Sequence, residues 1–64
     1  MFRKKLEKLA ELLEKVNGVK YSLHDPNYHN WLIDQYDNRD EEIFRNWTFN
    51  AYIDYLIDRY ESII

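Results

Sequence analysis

The apolar residues of the C-terminal third keep one helical phase from Phe49 onward and break it just before. Phe49, Tyr52, Ile53, Leu56, Ile57, Tyr60, Ile63 and Ile64 fall on one face at helical spacing, with Asn50, Asp54, Asp58 and Glu61 opposite. Extended backwards at about 100° per residue, the same helix carries Ile43, Phe44 and Trp47 roughly 120–220° away from Phe49, onto the acidic side. A straight helix from 41 to 64 would need cover on both faces. The spacing therefore predicts an interruption between Arg45 and Phe49. The alternative is an unbroken helix whose aromatics face a partner.

Sixty-four residues make one domain, 1–64. A chain of this size buries only about 60% of its unfolded surface, and many such chains need cross-links. No cysteine is present, which excludes disulfides, thiolate zinc and a cysteine nucleophile. Packing must hold the fold, and eleven aromatics (six Tyr, three Phe, two Trp) are the means. Their core is expected to include Leu6, Leu9, Leu13, Leu32, Ile53, Leu56 and Tyr60. No apolar run approaches the roughly 20 residues of a membrane span, and Glu7, Lys8, Glu11 and Glu14 interrupt any leader-like stretch. The expectation is a cytoplasmic protein. Usage of Ile, Asn, Lys, Tyr and Phe, whose codons are AT-rich, points to a low-GC genome.

Local signals place the elements. Phe2, Leu6, Leu9, Leu13 and Val16 are spaced 4-3-4-3, a first amphipathic helix closed by Asn17-Gly18. Residues 19–23 alternate with period two but have no second strand to pair with. They predict a short extended segment with Val19, Tyr21 and Leu23 inward. Asp25-Pro26 reads as an N-cap followed by proline at the first helical position, opening a helix to about Asp37. Asn38-Arg39 is a turn, and Asp40 caps a helix carrying Ile43, Phe44 and Trp47. The last helix runs to the C-terminus. The expected fold is an all-α bundle of three to four short helices, with helices 1 and 4 the long members.

Charge is uneven. Residues 1–20 hold six basic side chains against three acidic ones, and residues 21–64 hold three against nine, for a net charge of −3. A basic first helix rides on an acidic body. Arg3, Lys4, Lys5 and Lys8 form a basic patch, read first as solubilising charge. No solvent-side aromatic interleaves it, so direct nucleic-acid binding is disfavoured.

Chemistry-bearing residues are few. His24, Asp25 and His29 could belong to a metal-dependent hydrolase fragment, but such sites need further ligands and these are the only two histidines. Ser22 and Ser62 have no recognisable base at motif spacing, and Gly18 stands alone, so no phosphate loop exists. No catalytic residue, metal or cofactor is assigned. The remaining signal is the row Asp54, Asp58 and Glu61, with Tyr55 and Trp47 as neighbouring aromatics of the kind that dominate interface hot spots. These five are the expected partner-binding residues. The expected function is a non-enzymatic protein-binding module. It would be a small inhibitor or regulator encoded by a phage or mobile element, docking an acidic, aromatic-rich face on a larger basic protein surface. The alternative is a structural homodimer, joined through the first helix, or a subdomain of a larger protein.

Overall fold

Local capping chemistry divides the described residues into four helices. A computed structural model describes residues 2–64, with α1 at Phe2–Asn17, α2 at Pro26–Asp37, α3 at Glu41–Phe44 and α4 at Phe49–Ile63. No strand occurs among the described residues, so the fold is a small all-α bundle. Gly18 ends α1 at φ 72°, and its N–H donates to the Glu14 carbonyl at 3.0 Å. That left-handed conformation is one glycine adopts without a Cβ penalty.

The other boundaries are closed by side chains. The Asp25 carboxylate accepts from the Asn27 N–H at 2.9 Å, with Pro26 in the first turn of α2. At the far end the Asn38 N–H donates to the Asp34 carbonyl at 3.0 Å. Asp40 caps α3 by accepting from the Glu42 N–H at 2.9 Å, and Glu41 and Glu42 complement the dipole there. Thr48 Oγ1 accepts from the Ala51 N–H at 3.1 Å and starts α4.

The expected interruption is present. Helix α3 stops at Phe44, a tight turn carries the Trp47 N–H to the Phe44 carbonyl at 3.1 Å, and extended backbone at Thr48 precedes α4. Trp47 thus lies in the turn and not in α3, where the sequence reading put it. The break turns Phe44 back onto α4. Its buried ring meets Tyr55 at 4.6 Å and Tyr52 at 5.3 Å between centroids. One chain reversal therefore answers the phase conflict.

The core joins α1, α2, α3 and α4. Leu9, Leu12 and Leu13 meet Tyr28, Leu32, Phe44, Tyr52, Ile53, Leu56 and Ile57. Contacts advance in the same order along α1 and α4: Phe2 with Phe49, Lys5 with Asp54, Lys8 with Glu61. Five of the seven expected core residues are buried. Leu6 and Tyr60 are half-buried at its margin. Tyr28, absent from the expected core, is 0% exposed. Its hydroxyl finds the Leu6 carbonyl, which is why so polar a ring fits there.

The 19–23 segment is only partly inward. Tyr21 and Leu23 are half-buried, but Val19 is exposed. Period two was the wrong guide at Val19, because the turn after Gly18 carries that residue past the end of α1. Ile63 and Ile64 share the apolar phase of α4 and are also exposed. They lie beyond the last core contact.

Candidate protein-interaction surface

Adjacent residues on a helix point about 100° apart, and this divides the expected binding row. Asp54 and Glu61 flank α4 on the side of α1. Tyr55 flanks it on the side of α3, and Asp58 lies between them.

The α1 flank is occupied by the chain's own cations. Lys5 Nζ donates to Asp54 Oδ2 at 2.9 Å and to Asn50 Oδ1 at 2.8 Å, and Lys8 Nζ lies 3.3 Å from Glu61 Oε2. Two of the three acids therefore fasten α4 to α1. Two cations of the basic patch, Lys5 and Lys8, thus face two acids of the row, Asp54 and Glu61. Asp58 has no ion pair among the described residues. Its backbone carbonyl accepts from the Ser62 hydroxyl at 3.0 Å.

The α3 flank is an aromatic wall. The Trp47 ring stands edge-on to Phe44 at 4.9 Å and to Tyr55 at 6.1 Å, and it remains 38% exposed. The Tyr36 hydroxyl donates to the Trp47 carbonyl at 2.6 Å. Arg39 was read as a plain turn residue, but it holds the wall together. Its guanidinium lies 3.9 Å over the Tyr36 ring, with Nε donating to the Phe44 carbonyl at 3.0 Å and Nη1 to the Tyr36 carbonyl at 2.7 Å. No local motif announces this role; only an Arg just after a helix end hints at carbonyl capping. Burial, then the neighbouring Tyr55, pushes the Tyr52 hydroxyl pKa up. Tyr52 thus stays neutral behind the wall.

His24, Asp25 and His29 surround one turn. Asp25 is the α2 cap, His29 Nε2 lies 3.0 Å from the Leu23 carbonyl, and His24 is exposed. No group of three or more His, Cys, Asp or Glu among the described residues is placed to hold a metal ion. Among the described residues no helix is long and apolar enough to cross a membrane.

Two concave features among the described residues are open to solvent. One is an open groove of about 290 Å³ between α1 and residues 20–23, lined by Glu7, Glu11, Glu14, Ala10, Tyr21 and Leu23 among others. The second lies against Glu41, Glu42 and Arg45. Both fall short of the roughly 300–1,000 Å³ usual for small-molecule sites.

Comparison with family models, curated proteins and solved structures gives no match for this chain. Its function is therefore argued from its own surface.

Proposed function

We propose that the protein is a non-enzymatic protein-binding module that docks on a basic surface of a larger protein, in the manner of a small inhibitor or regulator. Trp47 carries the reading. Its backbone is fixed by Tyr36 and its ring by Phe44 and Tyr55, yet over a third of it meets solvent. A large aromatic held rigid before binding loses little freedom on docking, and Trp and Tyr are enriched among interface hot spots.

Asp58, three residues after Tyr55 on the same helix and without an ion pair among the described residues, supplies charge beside this anchor. Asp54 and Glu61 contribute to the acidic field, although their own lysines compete for them. A basic partner would be steered by that field and released from it by salt. The apolar stripe of α1 is less suited to a symmetric dimer, because Leu9 and Leu13 are fully buried within the chain.

Affinity capture from a low-GC bacterial lysate, compared between the parent protein and Trp47→Ala, tests the reading. The expected result is a partner retained by the parent at low salt, weakened by high salt and lost in Trp47→Ala. Equal capture by both proteins would reject the Trp47 face.

A further inference from the structure

We propose that Asn17 is a deamidation site whose reaction is gated by the last turn of α1. The inference concerns backbone chemistry at the C-terminal end of α1 and does not rest on the reading of the Trp47 face.

An asparagine followed by glycine carries its own nucleophile. The Gly18 backbone nitrogen, once its proton passes to a base from solvent, can attack the side-chain carbonyl carbon of Asn17. The new C–N bond closes a succinimide ring, and the Asn17 amide nitrogen leaves as ammonia. Water then opens the ring. Attack at one carbonyl leaves aspartate at position 17. Attack at the other leaves isoaspartate, with the main chain routed through the former side chain. Glycine favours the first step, because a Cβ on the following residue would crowd the attacking nitrogen.

The sequence holds six asparagines, and the fold treats Asn17 differently from the other five. Asn17 is exposed, and its carboxamide makes no hydrogen bond among the described residues. Nothing lies within 4 Å of where a Cβ on Gly18 would stand, so water has open access. Asn38 Nδ2, by contrast, donates to the Asp34 carbonyl at 2.8 Å. Asn50 Oδ1 accepts from Lys5 Nζ at 2.8 Å, and the Ala51 N–H that follows it is taken by Thr48 Oγ1. Asn27, Asn30 and Asn46 precede Tyr28, Trp31 and Trp47, whose rings crowd the attacking nitrogen.

Two features of the folded chain hold the reaction back. Asn17 is the last residue of α1, and a helical ψ turns the next nitrogen away from the side-chain carbonyl. The Gly18 N–H also donates to the Glu14 carbonyl at 3.0 Å, which holds the proton that must leave. Both locks open together when the last turn frays, and a helix end is the cheapest part of a helix to open. The product disfavours reclosing. Its carboxylate stands at the negative end of the helix dipole, one turn after Glu14. Isoaspartate also lengthens the main chain shortly before Tyr21, whose ring stacks on Tyr28 of α2 at 5.3 Å. Deamidation is therefore a one-way change that loosens residues 19–23 from α2.

The test is long incubation of the full chain in neutral buffer and in urea. Peptide mapping that separates asparagine, aspartate and isoaspartate reads each of the six positions. Conversion should concentrate at position 17 and run at least about tenfold faster in urea, because unfolding removes both locks. Asn17→Gln should suppress it, since glutamine must close a larger ring, and unchanged far-UV dichroism verifies that the fold persists. In ¹⁵N-labelled converted protein returned to buffer, the amides of residues 18–23 should move most. Faster conversion at another asparagine, no conversion in urea, equal rates in buffer and urea, or an unchanged amide spectrum after conversion would overturn the proposal.

Discussion

The Tyr28 hydroxyl donates a 2.6 Å hydrogen bond to the Leu6 carbonyl, tying the middle of the bundle to the first helix across 22 residues of chain. The ring is fully buried, and burial pushes its pKa up to about 12. Ionising it in the folded state is therefore harder than in the unfolded chain. The associated stability is complete below the unfolded value near 10 and is lost as pH rises from there through about 12. Burial raises the Tyr52 pKa in the same direction. Tyr28→Phe should cost about 1–2 kcal/mol at neutral pH through the lost hydrogen bond. Its stability should also fall less steeply above pH 10 than the parent's. Urea melts followed by circular dichroism at neutral pH and at several alkaline pH values measure both effects.

Leu13 and Leu56 sit at the α1–α4 contact and are almost wholly buried. Replacing either by Ala should cost about 2–5 kcal/mol, since the removed methyls leave a cavity the neighbours fill only in part. In so small a domain that approaches global unfolding. Ile64→Ala, at the exposed end, should stay within about 0.5 kcal/mol of the parent. Thermal melts of the three variants separate the sites.

Arg39 joins the end of α2 to the end of α3 through two carbonyls and one ring face. Lysine keeps the charge but lacks the planar fork, so Arg39→Lys should cost about 1–3 kcal/mol. Loosening the turn should also expose Trp47. In a Trp31→Phe background, its fluorescence should move to the red before global unfolding.

The Lys5–Asp54 pair closes the α1 flank of the acidic row. A double-mutant cycle with Lys5→Met and Asp54→Asn should give a coupling of about 0.2–1 kcal/mol, because the pair is largely solvent-exposed. The coupling should shrink as salt rises. Guanidinium-free thermal melts at low and high ionic strength provide the measurement.

Most element ends were legible because each depends on a few neighbouring residues. Asn17-Gly18, Asp25-Pro26 and Asp40 with Glu41 and Glu42 each announce a boundary by local backbone chemistry. The phase break before Phe49 likewise announced the α3–α4 turn. The binding row was legible only as a pattern. The sequence places Asp54, Asp58 and Glu61 on the polar side of α4, but it is silent on what faces them.

The sequence by itself determined where the helices start and stop, the inward stripe of each long helix and the all-α class. Those features follow from rotations and caps within a few residues, which chain order specifies directly. Tertiary structure alone decided that Lys5 meets Asp54, 49 residues away, and that Arg39 clamps the aromatic wall. It also decided that Phe44 and Tyr28 enter the core while Ile43 and Val19 stay outside. Each of these outcomes depends on the angle at which one helix docks on another. That angle is set by the summed packing of many side chains, and no single stretch of sequence encodes it.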